Sequence, residues 1–372
     1  MKILYAGYSL LSPIGGGEIS AFYLLQELAK KHKVIIVGLG SQKEKYFIEN
    51  NSKIEFYEKR IPNFFGKRIM PLYLRKLLIE EYFRILLRKT FKKVDPELII
   101  LQSPAIFPKD YRKKNRKIIF FIRSLDWYGL SSKGQKNSIK KIYNYPFIKI
   151  RSKKNKRILR EADLVFTNSY FMQRVLLEKG IKTEVVYPFL KMEEYKILFR
   201  EPCTSYVTFV TPNFPKGREV VLRIVEKLPE EKFLFVGIKN FSLDKKIENF
   251  KNITVLPWIQ DMKEVYRKTK IIIMPSVWEE PFGRVPIEAG INGIPTIASK
   301  RGGLPESVGE GGILIDDIWN INNWVSAIKR LENPAEYKRF SKKAVENAKK
   351  FDFKNTFANF KKIVKERLNI NL

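Results

Sequence analysis

Residues 271–290 read IIIMPSVWEEPFGRVPIEAG, and this order of strand, loop and helix residues decides the fold. Residues 271–274 form an unbroken apolar run, as expected of a parallel strand that is covered on both faces. Pro275 ends this run, and Pro286 suits the first turn of a helix, where its missing N–H costs no hydrogen bond. Since ligands of open α/β sheets bind outside the carboxyl ends of the strands, the loop between the two prolines is predicted to lie at a ligand site.

The same alternation of strand and helix extends along the rest of the chain. Near the start, Gly15-Gly16-Gly17 reads as a loop before a helical stripe of apolar residues at positions 21, 24, 25 and 28. Short apolar runs predict buried strands at 3–6, 34–37, 98–101, 118–122, 164–167, 185–187, 207–210, 233–236, 253–256, 271–274, 296–298 and 312–315. Helical patterns lie between these runs, so the sequence predicts doubly wound α/β units.

The length of 372 residues favours two domains. We predict a Rossmann-like N-terminal domain over 1–190, a second Rossmann-like domain over 191–350, and a linker within 188–202. A C-terminal helix is predicted over 351–372, with Phe353, Phe357, Phe360 and Val364 along one face. That apolar face must dock on a domain, and the N-terminal domain is one candidate.

The composition excludes several classes of site. The chain holds one cysteine, Cys203, and one histidine, His32, so an intramolecular disulfide and a metal site of several histidines are excluded. A Ser-His-Asp triad would have to use His32, which the pattern places in a turn between a helix and a strand. The single cysteine fits a cytoplasmic location, and the absence of a long apolar run argues against a transmembrane helix.

The net charge of +32, from 71 basic and 39 acidic residues, favours anionic partners. Nucleic acid, anionic lipid and phosphorylated substrates are all anionic partners of this kind. A lysine-rich composition can equally follow from genome bias or a hot habitat.

Two carboxylates flank the loop after the strand at 271–274. Glu280 and Glu288 stand with seven residues between them, one in the loop and one in the first helical turn. The backbone N–H groups of Gly283, Arg284 and Val285 lie at the helix start and are suited to bind an anion. Each glutamate alone would also fit an ordinary role, since a carboxylate in a first turn complements the helix dipole.

The pattern Glu280-Pro281-Phe282-Gly283-Arg284-x-x-x-Glu288-Ala289 resembles the E-x7-E signature of retaining GT-B glycosyltransferases of the family 4 type. Further segments match that family in order and spacing, so the resemblance covers nearly the whole chain. They are GIPTIA at 293–298, GGLPE at 302–306, the glycines at 15–17, EADLVFTNS at 161–169 and PKG at 215–217.

The resemblance implies a GT-B architecture, in which two Rossmann-like doubly wound domains face a central cleft. It implies transfer of a hexose-type sugar from a nucleoside-diphosphate sugar to a glycan or lipid-linked acceptor, with retention of anomeric configuration. The N-terminal domain would bind the acceptor and the second domain the donor. No cofactor and no metal are implied.

The resemblance also assigns roles to residues. Glu280 would contact hydroxyls of the donor sugar, Glu288 the ribose hydroxyls, and Lys216 the pyrophosphate. The set of donor-binding residues is Gly15, Gly16, Gly17, Lys216, Phe282, Gly283, Arg284, Val285 and Glu288. Glu280 and Lys216 are predicted to act in catalysis together with Arg123.

Two positions depart from the family pattern. Arg123 stands about where family members often carry a histidine, and it would either contact the donor or pair with Asp126 at the strand end. Thr211 stands where an arginine often precedes the Lys-Gly element by five residues. Arg218 or Arg284 could substitute for that arginine.

Two basic stretches fall in the first domain. Residues 127–160 contain no acidic residue and interleave lysine and arginine with tyrosine and phenylalanine, and 71–93 reads as a basic helix rich in leucine. Such surfaces suit peripheral contact with anionic lipid on the inner face of the cell membrane. A solvated charged face above a core helix explains them equally well.

Three other functions remain compatible with parts of the sequence. A basic nucleic-acid-binding protein would explain the charge but not the segment from 275 to 306, so nucleic acid is not an expected partner. A GT-B nucleotide-sugar epimerase would need ionisable groups facing the sugar, which the spacing of Glu280 and Glu288 does not suggest. A non-catalytic relative that binds nucleotide is compatible with Arg123 in place of histidine.

Overall fold

Two parallel β-sheets organise the protein, and the computed structural model describes residues 1–7, 16–39, 53–59, 72–108, 116–124, 145–198, 205–237, 247, 249–259 and 261–372. The chain divides into two compact units. Unit 1 contains Met1–Phe189 and Thr356–Leu372, and unit 2 contains Leu190–Asn355.

Unit 1 is built on a seven-stranded sheet in the order β3-β2-β1-β4-β5-β6-β7, with every pairing parallel. Its strands are β1 (Lys2–Ala6), β2 (Lys33–Leu39), β3 (Ile54–Lys59), β4 (Leu98–Leu101), β5 (Lys117–Ile122), β6 (Leu164–Thr167) and β7 (Glu184–Val185). Its helices are α1 (Gly16–Ala29), α2 (Leu72–Val94), α3 (Tyr145–Arg160) and α4 (Tyr170–Leu177), with a 3₁₀ turn at Pro104–Ile106.

Unit 2 is built on a six-stranded parallel sheet in the order β10-β9-β8-β11-β12-β13. Its strands are β8 (Tyr206–Val210), β9 (Lys232–Val236), β10 (Ile253–Leu256), β11 (Thr269–Met274), β12 (Thr296–Ser299) and β13 (Gly312–Ile315). Its helices are α5 (Arg218–Lys227), α6 (Lys263–Lys268), α7 (Val285–Gly290), α8 (Leu304–Val308), α9 (Ile321–Arg330) and α10 (Pro334–Lys349). Short 3₁₀ turns lie at Met192–Glu194 and Gly309–Gly311.

The last helix, α11 (Phe353–Leu368), packs on the sheet of unit 1. Phe360 and Val364 on its predicted apolar face are fully buried. The Phe360 ring lies 5.9 Å from the ring of Phe121 on β5 and 5.4 Å from that of Phe166 on β6. Helix amphipathicity therefore places the end of the chain against the first sheet.

The prediction and the structure differ at three elements. Helix α1 begins at Gly16, so Gly16 and Gly17 form its first turn and not a loop, while Gly15 lies outside the described residues. Strand β3 was not predicted, because Ile54–Lys59 alternates apolar residues with charged ones. Strand β7 covers Glu184–Val185 and stops short of the predicted end at 187.

In each sheet the strand order reverses at one place, and this topology positions the site. The reversal lies between β1 and β4 in unit 1 and between β8 and β11 in unit 2. In open α/β sheets the crevice at such a reversal, outside the carboxyl ends of the strands, is where ligands bind. The residues that follow β8 and β11, and those that follow β1, β4 and β5, are therefore candidates for contact with a ligand.

A carboxyl pair near the start of β9 gives a pH-dependent prediction. Burial, together with a hydrogen bond to the Glu332 carboxyl, raises the pKa of Glu231. The folded pKa of Glu231 lies above its pKa in the unfolded chain. The contribution of its protonated carboxyl to the stability of the fold is therefore complete below about pH 4.3 and is lost as the pH rises through the folded pKa. Glu231→Gln is therefore expected to raise the melting temperature at pH 8 by about 2 °C and to have less effect at pH 4.

Thermal unfolding between pH 4 and pH 8 measures this difference. Glu230→Gln is the matched control, since the neighbouring Glu230 is exposed. If the melting temperatures of Glu231→Gln and wild type differ by the same amount across this pH range, the hydrogen bond between the Glu231 and Glu332 carboxyls is refuted.

Candidate functional site

The carboxyl ends of β8 and β11 bring two loops into direct contact. The N–H of Val277 donates to the carbonyl of Pro215 at 3.0 Å, which joins the loop after β11 to the loop after β8. Gly217 has φ +87°, and a Cβ there would lie 1.9 Å from the carbonyl oxygen of Pro275. This close approach of two backbones needs glycine, because L-residues rarely adopt a positive φ and a side chain would collide.

The Glu280 carboxylate lies at the centre of these loops and is 4% exposed. Its Oε1 accepts hydrogen bonds from Ser276 Oγ at 3.0 Å and from Trp278 Nε1 at 2.9 Å. Lys216 Nζ forms an ion pair with the same oxygen and lies 5.6 Å from the centre of the Trp278 ring. A buried carboxylate is costly unless it is paired, and here one cation and two neutral donors stabilise it.

The segment 302–306 holds the backbone of Glu280 from behind. The N–H of Gly303 donates to the Glu280 carbonyl at 2.7 Å. A Cβ on Gly302, whose φ is +60°, would lie 2.3 Å from that same oxygen. The glycine pair therefore fixes the position of Glu280 by close backbone packing.

Glu288 forms a second, separate cluster in the first turn of α7. It is 7% exposed, and its Oε2 accepts a hydrogen bond of 2.8 Å from the Tyr266 hydroxyl. Its Oε1 lies 2.8 Å from the Arg284 guanidinium, which also contacts the hydroxyl of Tyr195. Burial and the neighbouring Glu288 carboxylate raise the pKa of Tyr266, so its hydroxyl stays protonated and remains a donor.

The other predicted donor-binding residues of this loop, Phe282, Gly283 and Val285, differ in how they pack. The Phe282 ring is 1% exposed and lies 5.4 Å from the Phe351 ring, so its side chain belongs to the core. Gly283, with φ +89°, packs where a Cβ would lie 2.7 Å from Leu304 Cδ2. Val285 begins α7, which has six residues, so its dipole adds little to anion binding.

Thr211, which stands in place of the family's arginine, has an unusual backbone. Its φ is +57°, a left-handed conformation that is costly for a β-branched residue. Its N–H donates to the Val236 carbonyl at 2.7 Å, and its carbonyl accepts from Asn213 N–H at 2.8 Å. Strain of this kind clusters at functional sites and persists where the surroundings fix it.

In unit 1, Arg123 lies just beyond β5 and beside the first turn of α1. Its Nη1 donates to the Gly17 carbonyl at 2.6 Å, and its guanidinium lies 5.2 Å from the centre of the Phe121 ring. Within the described ranges, no acidic side chain forms an ion pair with Arg123. Asp126, its predicted alternative partner, lies outside the described residues.

Sequence reasoning missed the neutral residues that hold the two glutamates. Ser276 and Trp278 support Glu280, and Tyr266 and Tyr195 act through Glu288 and Arg284. Ser276 and Trp278 lie within four residues of Glu280, so their proximity was a usable signal. Tyr266 and Tyr195 are distant in sequence, and only the fold brings them close.

Two absences hold for the described part of the chain. No group of three or more histidine, cysteine, aspartate or glutamate side chains there is placed to hold a metal ion. No helix there is both long and apolar enough to cross a membrane.

Comparison with known proteins matches both units to family models. The model described as Glycosyltransferase Family 4 matches residues 14–194, and the one described as Glycosyl transferases group 1 matches residues 204–351. The D-inositol 3-phosphate glycosyltransferase of Mycobacterium marinum is 29% identical over 199 residues, which are 49% of this chain and 42% of that protein. The chain spans 40% to 62% of the length of the first curated relatives it matches.

Two solved structures resemble nearly the whole chain. Sucrose-phosphate synthase from Thermosynechococcus elongatus has a TM-score of 0.75 at 18% identity, covering 98% of both chains. HepE from Anabaena in complex with UDP-glucose has a TM-score of 0.73 at 18% identity, covering 98% of this chain and 100% of that one. At this identity the likeness establishes the fold, and it confirms the predicted pair of Rossmann-like α/β domains.

Proposed function

Because the chain belongs to glycosyltransferase family 4 and has the GT-B fold, we propose that it transfers a sugar from a nucleoside-diphosphate sugar. The sugar is a hexose, the acceptor is a glycan or a lipid-linked sugar, and the anomeric configuration is retained. One observation carries the proposal. The buried carboxylate of Glu280 is held by Lys216, Ser276 and Trp278 where the strand order of unit 2 reverses.

Lys216 stabilises the leaving nucleoside diphosphate. As the bond between the anomeric carbon and the phosphate oxygen breaks, that oxygen takes the electron pair and gains negative charge. A cation fixed beforehand lowers the energy of this state more than that of the ground state. The ion pair with Glu280 supports this role, because it orders the lysine side chain before the donor arrives.

Glu280 orients the donor sugar. Its Oε1 receives the contacts from Lys216, Ser276 and Trp278, and a carboxylate has lone pairs for about four hydrogen bonds. The remaining capacity suits sugar hydroxyls. In a retaining transfer the acceptor enters on the face from which the phosphate departs, and the departing phosphate takes the acceptor proton, so Glu280 needs no covalent role.

Glu288 binds the ribose of the donor. Its two oxygens each accept one contact from the protein, from Tyr266 and from Arg284, which leaves lone pairs for the two ribose hydroxyls. Arg284 therefore serves to fix Glu288, a different role from direct contact with the diphosphate. Gly16 and Gly17, at the N-terminus of α1, are proposed to offer backbone N–H groups to the donor.

Nucleotide binding tests the donor site. UDP, GDP, ADP and their common sugar conjugates are added in turn, and the melting temperature is measured for wild type and Glu288→Ala. One nucleotide family is expected to raise the melting temperature of the wild type. Its affinity is expected to fall by about tenfold or more in the variant, because two hydrogen bonds to a charged group are lost.

Glu226→Ala is the control, since this exposed glutamate lies in the last turn of α5, which leads to the amino end of β9. Equal stabilisation of wild type and Glu288→Ala by every nucleotide would remove Glu288 from the donor site.

We further propose that unit 1 contacts an anionic membrane surface, where a lipid-linked acceptor resides. Helix α3 carries seven lysine and arginine residues and no acidic one. Lys153 and Arg157 are exposed, and Ile150, about one turn before Lys153, is 67% exposed. A basic helix with exposed apolar side chains is suited to lie at the surface of an anionic bilayer.

Sedimentation with lipid vesicles tests this contact. Vesicles with anionic headgroups are expected to bind the wild type more strongly than neutral vesicles. The double variant Lys153→Gln/Arg157→Gln should weaken this binding by about 30-fold, since each cation near the surface contributes about 1 kcal/mol. Arg330→Gln/Arg339→Gln in unit 2 is the matched control, and equal binding to both kinds of vesicle would contradict the proposal.

A further inference from the structure

The carboxyl edge of the first sheet holds a polar cluster that the proposed donor contacts do not use. Tyr5 lies near the end of β1, Gln102 directly follows β4, and Arg123 directly follows β5. These strands are neighbours at the reversal of strand order in unit 1. The topology therefore gathers these three side chains where a ligand of an open α/β sheet binds.

Arg123 keeps most of its donors available in this cluster. A guanidinium has five N–H groups, and the hydrogen bond to the Gly17 carbonyl uses Nη1. The Phe121 ring covers one face of the guanidinium, and the Cδ of Arg123 lies 3.5 Å from where a Cβ on Gly17 would be. Packing on both sides holds the charge in place, and no carboxylate among the described residues neutralises it through an ion pair.

The Tyr5 hydroxyl is a second donor, and it is completely buried. Within the described part of unit 1 it makes no well-aligned hydrogen bond, although the side chains of Arg123 and Gln102 lie close enough to lower its pKa through weak hydrogen bonding. Burial raises the pKa of Tyr5, so the hydroxyl keeps its proton and can donate. A buried hydroxyl without a well-aligned partner is destabilising, and a bound ion or water is one way in which native proteins satisfy such a group.

The charges around Tyr5, Gln102 and Arg123 favour the binding of one anion. Glu18 on α1 is the acidic residue that acts electrostatically on Tyr5, and it opposes Arg123. Its side chain has partners of its own, whereas the described contacts of Arg123 are to a neutral carbonyl and a neutral ring. The donors that converge here, a guanidinium and a protonated phenol, match an oxyanion better than a neutral hydroxyl.

We propose that Arg123 and Tyr5 form a subsite for an anionic group on the sugar substrate, either a carboxylate or a phosphate. This inference rests on the proposed function, in which Lys216 meets the donor diphosphate. The subsite would select an acidic sugar over a neutral hexose. The acidic sugar enters either as part of the donor or as the acceptor.

Binding of matched charged and neutral sugars tests the subsite. In the donor arm, calorimetry compares a nucleoside-diphosphate hexuronate with the corresponding hexose conjugate. In the acceptor arm, free hexuronate, hexose 6-phosphate and hexose are titrated, with and without saturating nucleoside diphosphate. The wild type is expected to bind the charged ligand of one arm about 10- to 100-fold more tightly than its neutral match, the value of a charge-assisted hydrogen bond.

Three variants assign that preference to residues. Arg123→Gln should abolish it, and Arg123→Lys should keep part of it because the charge remains. Tyr5→Phe should reduce it while leaving the melting temperature equal or higher, since it removes a buried hydroxyl that lacks a well-aligned partner. Arg367→Gln, on α11 and paired with Glu184, is the control that should change nothing.

Each outcome decides the inference. A preference for the charged ligand in either arm that Arg123→Gln removes supports the subsite and identifies its source. Equal binding of charged and neutral ligands by the wild type overturns it, as does an equal loss of both in Arg123→Gln, which would assign Arg123 to the diphosphate. Failure of every nucleoside diphosphate to bind would instead refute the proposed function, and the free-sugar titrations would still report on the subsite.

Discussion

Lys216→Ala is expected to lower kcat for sugar transfer by about 100-fold or more, the loss typical of removing one fixed group that stabilises transition-state charge. The variant removes the cation proposed to meet the leaving diphosphate. It also leaves the Glu280 carboxylate, which is 4% exposed, with two neutral donors. The steady-state rate with the donor identified by nucleotide binding measures the effect.

Lys227→Ala is the control for this experiment, because Lys227 is an exposed lysine of the same unit that bonds to Asn322. The melting temperature of the double variant Lys216→Ala/Glu280→Gln separates catalysis from burial. If an unpaired charge distorts the loop, Lys216→Ala should lower the melting temperature and the double variant should restore it. If Lys216 acts on the diphosphate, Lys216→Ala loses activity at a melting temperature close to that of the wild type, and a kcat within a few-fold of wild type would refute the role.

Gly217→Ala is expected to lower the free energy of unfolding of unit 2 by about 3 kcal/mol or more. A positive φ costs an alanine about 1–2 kcal/mol, and the Cβ would in addition collide with the backbone of Pro275 at 1.9 Å. To relieve the collision, the loops after β8 and β11 must separate, which moves Lys216 away from Glu280. Chemical denaturation measures the loss of stability.

Gly237→Ala supplies a matched control for that experiment. Gly237 has a similar φ of +93°, but the nearest atom to its Cβ position is 3.8 Å away. This variant should show the cost of the left-handed backbone alone, so the difference between the two variants isolates the collision. Equal stability of the two variants would mean that the loops are not packed as closely as described.

Most of the fold follows from the sequence for a simple physical reason. A strand buried on both faces must be continuously apolar, so β1, β4, β6 and β11 stand out as unbroken runs. Strand β3 has a neighbour on one side only, and residues such as Glu55 and Glu58 interrupt its apolar pattern. Charged residues in an edge strand protect the sheet from pairing with other chains. Because they interrupt the apolar run, they also prevent the strand from being predicted by its apolar residues.

The sequence predicts which residues belong to the candidate site, but it does not predict which of their side chains contact each other. The family resemblance predicts Glu280, Glu288 and Lys216 as site residues, but a resemblance of motifs does not indicate which side chains meet. The ion pair of Lys216 with Glu280 joins residues 64 positions apart, because β8 and β11 are neighbours in the sheet. Likewise, the motif predicts that Arg284 binds the donor, but it does not indicate that the guanidinium contacts Glu288 one helical turn away.

Phe282 illustrates a further limit of motif reasoning. It lies within the loop that carries the E-x7-E pattern. The pattern alone does not distinguish residues that contact a ligand from residues that pack in the core. In the structure its ring is buried against Phe351, so its side chain stabilises the loop from within. A motif residue can therefore serve the site by packing, and a structure is needed to distinguish this from contact with a ligand.

Release of nucleoside diphosphate from nucleotide sugars tests the central claim most directly. Purified protein is incubated with each common nucleotide sugar, with and without glycan or lipid-linked acceptors, and the free nucleoside diphosphate is measured. We predict release from one donor family, stimulated by acceptor and lowered by about 100-fold or more in Lys216→Ala. No release and no binding of any nucleotide sugar, together with tight binding of oligonucleotides, would contradict the assignment as a glycosyltransferase.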